Sequence, residues 1–421
     1  MSKDQPTLEW PGKKAITASP LELVQSAVVN PDTSSELINQ RLIQGENLGV
    51  MSALLAEFEG KIDLIYADPP FLSGKSYRVR TGQGEDSRQP EGWKTAEGFR
   101  DEWNDRAEYL NMLYSRLRLM HTLLSDAGTL YLHLDWHAAA YARVLLDEVF
   151  GPERLLNEII WTYHGPSPIR SAFKRKHDTI YVYTKSKEYT FNADDVRVPY
   201  NASTVKTFSS AKAGFGKRPD LERGKVPEDW WYFPVVARMH RERTGYPTQK
   251  PEALLERIIL ASSNPGDLVA DFFSGSGTTA SIARRLSREW LACDISPIAI
   301  NTTRRRLLLE PEAGGFSVWV DKATQNPHLL HPRIQIKANN LDVEAQLADF
   351  DPEALTSLEL DWNFDGRLFR SEAQSVRGWR QEQMKTRLDH SYSEAGSYVV
   401  AARAVDAEGQ TGIATESVRV A

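Results

Sequence analysis

The 421-residue sequence predicts a doubly wound α/β domain on a mostly parallel sheet, followed by a small C-terminal β-sandwich. Three observations carry this expectation. Between about residues 42 and 310, apolar strand-like runs alternate with helical patterns, as parallel strands joined by crossover helices do. Two of those runs, IDLIYA at 62–67 and LVAD at 268–271, read as buried strands that empty straight into irregular turns. From Leu347 the chain becomes acidic and strand-like, and SYSEAGSYVVAARAVDAEGQTGIATESVRV alternates apolar and polar residues around Gly turns.

Residues 1–41 mix Pro, Gly and polar residues with a weak helical pattern in LELVQSAVV, and read as an N-terminal arm. From Arg41, RLIQGENLGVMSALLAEF predicts a short strand, a turn at 45–47 and a helix with Leu48, Met51, Leu54, Leu55 and Phe58 on its apolar face. IDLIYA then meets Asp68-Pro69-Pro70-Phe71. Two consecutive prolines cannot continue a strand ladder, so the backbone after Asp68 is forced into a rigid, extended turn of the kind that can hold a reactive group. Residues 73–105 are polar, Gly-rich and without period; such a long loop after such a turn predicts a lid or ligand-contacting loop, with Lys75, Arg78 and Arg80 as phosphate candidates.

Tyr109, Met112, Leu113, Leu117, Met120 and Leu124 mark a helix that ends at 125–128, followed by strand TLYLHLD and helix HAAAYARVLLDEVF. His133, Asp135 and His137 would share one face of an extended strand, but a helix starting at Trp136 breaks that face, and no metal is assigned. From Gly165 to about Thr244 the alternation stops. Gly165 to Lys225 holds thirteen Lys/Arg against six Asp/Glu, with Arg170, Lys174, Arg175, Lys176, Lys217 and Arg218 interleaved with Phe173, Tyr181, Tyr183, Tyr189 and Phe215. YPTQKPEALLERIILAS starts a helix with Pro251 at its first position. LVAD then runs into Gly275-Ser276-Gly277-Thr278-Thr279-Ala280, and Asp294 ends the next strand, EWLACD.

The net charge of −6 and pI near 5.9 exclude a uniformly basic surface, so any nucleic-acid contact must come from a local patch such as 165–225. One cysteine, Cys293, excludes a disulfide framework, and no apolar run approaches the roughly 20 residues of a membrane span. A reducing cytoplasm is the expected setting. On its own the glycine loop is ambiguous: it suits the pyrophosphate of a dinucleotide or the carboxylate of S-adenosylmethionine equally, and a P-loop is excluded because no Lys-Ser/Thr follows.

Together, DPPF, the FFSGSGTT loop, GENLGVMSALL and YPTQKPEALLERII resemble the amino-methylating DNA methyltransferases, in the motif order of their beta class, over roughly residues 42–308. The resemblance implies a Rossmann-like methyltransferase sheet in circularly permuted order, with S-adenosylmethionine as cofactor and double-stranded DNA as substrate. It implies that Asp68, Pro69, Pro70 and Phe71 form the catalytic turn, and that Asp271, Phe273, Gly275, Gly277, Thr278 and Asp294 hold the cofactor. It places a target-recognition region at about 165–244, with Lys75, Arg78, Arg170, Lys174, Arg175, Lys176, Lys217 and Arg218 as DNA-contact candidates. Cytosine members more often carry Ser at the position of Asp68, which favours N6-methyladenine; N4-methylcytosine is the alternative. Phe71 in place of the commoner Tyr, and LSGKS after it, depart from the usual pattern. A recognition subunit dependent on a restriction-endonuclease partner, a homodimer, and a methylase of RNA or of a protein amide remain open.

Residues 311–345 read as a linker and 346–421 as a PKD-like or immunoglobulin-like module suited to docking. Within it Asp361, Asn363, Asp365 and Glu372 match a calcium-loop spacing, but TSLELDW is strand-like and the flanking helices of such a loop are missing, so an Asp-Gly turn is the expectation.

Overall fold

A computed structural model describes residues 6–31, 40–81, 94–209, 219–237, 240–310, 314–324, 329–348, 351, 354–379 and 384–421. The chain forms β1 (Leu23–Val29), β2 (Arg41–Gln44), α1 (Asn47–Phe58), β3 (Ile62–Ala67), β4 (Lys75–Thr81), β5 (Lys94–Asp101), α2 (Arg106–Leu123), β6 (Leu124–Leu134) and α3 (Ala139–Phe150). It continues through β7 (Leu155–Thr162), β8 (His177–Thr184), α4 (Ala202–Phe208), β9 (Trp230–Tyr232), α5 (Glu252–Ser262), β10 (Leu268–Asp271), α6 (Thr278–Arg285), β11 (Glu289–Asp294), α7 (Pro297–Leu309) and β12 (Phe316–Asp321). The last strands are β13 (Arg333–Asn339), β14 (Asp342–Ala348), β15 (Leu355–Asp361), β16 (Phe369–Ser371), β17 (Ala373–Val376), β18 (Arg387–Ser391), β19 (Gly396–Asp406) and β20 (Thr411–Val420).

Among the described residues, eleven strands make one sheet in the order β16-β1-β12-β2-β11-β10-β3-β6-β8-β7-β9. The run from β12 to β6 is parallel throughout, and β3 lies between β10 and β6. Helices cover both faces: Met51, Leu113 and Leu145 of α1, α2 and α3 pack in one core, and Leu255, Ile282 and Leu307 of α5, α6 and α7 in the other. With both faces covered, β3 and β10 must be apolar on both sides, which is why IDLIYA and LVAD lack alternation. From β3 the chain crosses to β6 on one side, and from β10 to β11 on the other. A crevice therefore opens at the carboxyl ends of β3 and β10, the place where doubly wound sheets bind ligands.

Several stretches differ from expectation. LELVQSAVV is strand β1, antiparallel to β12; a short apolar run does not by itself distinguish the two periods. Residues 73–105 are no open loop at their ends but an antiparallel hairpin, β4 with β5. The basic stretch contains β8, which pairs with β6 and β7 inside the main sheet, so Tyr181 and Tyr183 are core residues and not DNA contacts. The stretch expected as a linker holds β12 and β13 and the start of β14.

At the C-terminus, β13-β14-β18 and β17-β15-β19-β20 form two sheets. Val343, Ala345 and Leu347 of one pack against Leu358, Leu360, Val400 and Ala402 of the other, which makes a sandwich. It is fastened to the main domain. β16 adds to the edge of the main sheet beside β1, and buried Glu359 of β15 pairs with Arg304 of α7 and, at 2.7 Å, with Arg403. The calcium-pattern residues are used locally. Asp361 accepts the amides of Asn363 and Arg370, Asp365 those of Arg367 and Leu368, and Glu372 that of Trp362. Among the described residues no group of three or more His, Cys, Asp or Glu side chains could hold a metal ion.

Candidate active site

The crevice is a cavity of about 670 Å³, lined by the 68–71 turn, the loop after β10, the hairpin and the 246–250 segment. The turn is over-determined. Asp101, at the end of β5 and almost fully buried, accepts the amides of Phe71 (3.1 Å), Leu72 (2.8 Å) and Ser73 (2.7 Å), together with the Trp103 indole N–H (3.0 Å). Leu72 sits at φ +65°, a conformation that costs a non-glycine residue about 1–3 kcal/mol unless its surroundings impose it. Asp101 imposes it. The Tyr109 hydroxyl donates to the carbonyl of Pro70 at 2.9 Å.

Asp68 is held from one side only. Lys250 donates to its Oδ2 and also lies 5.3 Å from the Phe71 ring centre. The other oxygen, Oδ1, is buried without a hydrogen-bond partner among the described residues. Behind it stands His133, whose Nδ1 lies 4.0 Å from Oδ1 and 2.8 Å from the Tyr66 hydroxyl. His133 Nε2 meets Asp178 at 3.2 Å, and Tyr163 donates to the same carboxylate at 3.1 Å. Burial pushes Asp178 up, but His133, Lys250 and Tyr163 outweigh it and hold the carboxyl below its ordinary value. His137 instead bonds Asp135 at 2.7 Å, so the two histidines of the TLYLHLDWH stretch serve separate pairs.

The glycine loop is held by its neighbours in sequence and space. Asp271 accepts the Phe273 amide (2.9 Å) and the Thr279 hydroxyl (2.6 Å); Asp294 accepts the amides of Gly275 and Ser296, each at 2.9 Å. Burial raises both carboxyls, Asp271 to about 7, helped there by the nearby Asp68 and Asp294. Asp271, Phe273, Gly275, Thr278 and Asp294 all line the cavity. Gly277 does not. It occupies φ +72° at the N-cap of α6, and a Cβ there would come within 2.5 Å of Thr303 on α7, so this glycine serves helix packing. Ser274 also lines the cavity, and its hydroxyl is buried without a partner among the described residues.

The charge of the cavity separates the two ligands that the glycine loop alone left equal. Its lining carries six carboxylates, Glu46, Asp68, Glu97, Asp101, Asp271 and Asp294, against Arg100, Arg116 and Lys250. Each of these cations already pairs with a carboxylate: Arg100 with Glu97, Arg116 with Glu46 and Lys250 with Asp68. Such a pocket repels a pyrophosphate and attracts a cationic sulfonium and ammonium. The residues therefore fit S-adenosylmethionine, with Ser274 and the uncapped N-terminus of α6 offering donors for its carboxylate.

Lys75 and Arg78 project from the hairpin into solvent, as do Arg170, Lys174 and Arg175 from residues 163–176. Lys176 is half-buried and donates to the Pro166 carbonyl at 3.0 Å. Lys217 and Arg218 lie outside the described residues. Sequence reasoning missed Asp101, Tyr109, His133 as a neighbour of Asp68, and Lys250. YPTQK, read as a helix start and as part of the family resemblance but without a role for Lys250, was the one available signal.

Residues 62–305 match the model of the N6/N4 DNA methylases. The chain is 31% identical over 281 residues to the type II methyltransferase M.HpaI of Haemophilus parainfluenzae, a similarity covering 66% of this chain and 77% of that protein. It is 27% identical over 319 residues to the DNA adenine methyltransferase YhdJ of Escherichia coli (strain K12), covering 75% and 94%. Among solved structures, the M1.HpyAVI–SAM complex is similar at 19% identity and a TM-score of 0.41, covering 64% of this chain and 99% of that one.

Proposed function

The chain belongs to the N6/N4 DNA methylase family, and from that premise we propose that it transfers a methyl group from S-adenosylmethionine to the N6 amine of an adenine flipped out of duplex DNA at a specific site. The observation that carries the reading is the Asp68 carboxylate, which lines the same cavity as Phe71 and the glycine loop and whose Oδ1 has no hydrogen-bond partner among the described residues. An exocyclic base amine is a poor nucleophile because its lone pair is delocalised into the ring. Acceptors for its N–H groups localise that pair as the nitrogen becomes tetrahedral. The Asp68 carboxylate accepts one N–H and the Pro69 carbonyl the other, while Lys250 holds that carboxylate in place and Phe71 stacks on the base for about 1–3 kcal/mol.

When bound, S-adenosylmethionine supplies an electrophilic methyl group on its sulfonium. Asp271 and Asp294 favour that cation, and Asp68 takes the proton that the amine loses. A base inside a duplex cannot reach the turn, so the target leaves the stack. Asp68, in place of the serine more frequent in cytosine members, supports adenine, as does the name of the YhdJ relative. The type II names among the relatives support a separate restriction nuclease as partner. Cytoplasmic action accords with the single cysteine, Cys293, which is buried and free. The C-terminal sandwich serves docking.

The test is methyl-tritium transfer from S-adenosylmethionine to unmethylated duplex DNA, followed by nucleoside analysis. N6-methyladenine is expected. N4-methylcytosine would move the chain to the alternative base, and label confined to RNA or protein would overturn a DNA substrate.

A further inference from the structure

Phe173 is 98% exposed, the most exposed large apolar side chain among the described residues. It stands on the segment between β7 and β8, and strand direction places that segment. β3 is parallel to β6, while β6 and β8, and β8 and β7, are antiparallel. The end of β7 and the start of β8 therefore lie at the same edge of the sheet as Asp68. The segment is braced from within: the Tyr163 amide donates to the Lys176 carbonyl (3.1 Å), Lys176 Nζ to the Pro166 carbonyl, and Arg170 to the Ser167 carbonyl (3.1 Å). Arg175 packs 4.1 Å from the ring of Trp136, which follows β6 and is itself half exposed. A braced segment thus holds a flat apolar ring out in water among Arg170, Lys174 and Arg175, all exposed.

We propose that Phe173 is the wedge that enters the DNA stack where the target base has left it. The proposal rests on the reading of this chain as a base-flipping DNA methylase and deepens it. Flipping leaves a slot one base thick, roughly 3.4 Å of rise along the strand. Its walls are the faces of neighbouring bases and it is open to water, so the side chain that fills it must be flat, apolar and presented ahead of the protein surface. The flanking cations meet the phosphates on either side. Phe173 touches neither the cofactor cavity nor Asp68, and so acts as a positioning residue.

The test compares native protein, Phe173→Ala and Phe173→Trp on two duplexes: one fully paired, the other with an abasic site opposite the target, where extrusion costs little. A 2-aminopurine reporter at the target position measures extrusion directly. On paired DNA, Phe173→Ala should lose about 10- to 100-fold in kcat/KM together with the fluorescence rise, because unstacking costs a few kcal/mol. On the abasic duplex it should return to within about threefold of native, and Phe173→Trp should stay near native on both. An equal loss on the two duplexes would make Phe173 an ordinary contact and overturn the proposal, as would no loss on paired DNA. If native protein methylates neither duplex, the reading beneath the proposal fails, and the wedge with it.

Discussion

The two turns that meet in the cavity, at the ends of β3 and β10, are built by opposite means. The 68–71 turn is rigid through side chains that arrive from far along the chain: Asp101 from the hairpin, Tyr109 from α2, His133 from β6 and Lys250 from the approach to α5. The glycine loop is held chiefly by groups from its own strand–loop–helix neighbourhood, Asp271, Asp294 and Arg306, with Thr303 against the bare Cα of Gly277, although Asn47 also reaches the Phe272 carbonyl from α1. On the proposed function, long-range bracing suits the turn that presents its acceptors at fixed places for chemistry. Local bracing and bare backbone suit the loop that must fit closely around a bound molecule. Damage to the first should therefore appear in the rate of methyl transfer, and damage to the second in cofactor affinity.

Asp101→Ala is the hardest blow to that distinction. It frees three amides and the strained Leu72, and should lower kcat about 100-fold while the Kd for S-adenosylmethionine stays within about threefold. Rapid-quench kinetics beside calorimetric titration would check it, and a parallel fall in affinity would merge the two turns into one unit. Gly277→Ala is the converse. A Cβ at φ +72° against Thr303 should cost about 2–4 kcal/mol, lower Tm and weaken the cofactor roughly tenfold, with the rate at saturation nearly kept. Adding Thr303→Ala should restore part of the melting temperature, since it removes the clash but not the backbone strain.

Asp271 sharpens the comparison through pH. Its pKa, raised to about 7, means that the folded protein holds a proton there that the unfolded chain has released above about pH 4. Stability of the cofactor-free protein should fall as pH rises from about 4 through 7, and level off above. Binding of the sulfonium has the opposite sign, because it needs the carboxylate ionised, so affinity should rise through the same window by several-fold. S-adenosylhomocysteine, without the sulfonium charge, should show a smaller rise. Asp271→Asn should flatten both trends in thermal melts and titrations. The smallest effect belongs outside both turns: Lys75→Ala and Arg78→Ala should each weaken DNA binding only a few-fold, equally for all sequences, and reduce the salt slope by about one.

How legible each region was follows from the same contrast. Asp68-Pro69-Pro70-Phe71 and Gly275 to Thr278 stand out in the sequence because local backbone chemistry makes them. The parallel core was readable from strands without alternation. Asp101 and Lys250 were not, since nothing in GFRDEW indicates that Asp101 will hold the amides of Phe71, Leu72 and Ser73, 28 to 30 residues away, and nothing in YPTQK that Lys250 will meet Asp68 across 182 residues. β8 was hidden because Lys176 and Lys185 flank it and it lies within a basic stretch, though its centre, IYVY, is buried on both faces. Gly277 was assigned to the ligand from its motif position, and only the close approach of α7 reveals what it packs against.

The division between the turns is tested most directly at Asp68, the group to which the long-range bracing leads. Single-turnover methyl transfer to duplex DNA should be measured for native protein and Asp68→Ala, with S-adenosylmethionine affinity determined on the same preparations. The expected result is a loss of about 1,000-fold or more in rate with affinity nearly unchanged, in line with the 10²–10⁴ attributable to one positioned proton acceptor. A variant that keeps its rate, or loses rate only as far as it loses cofactor, would contradict the assignment of the chemistry to this turn.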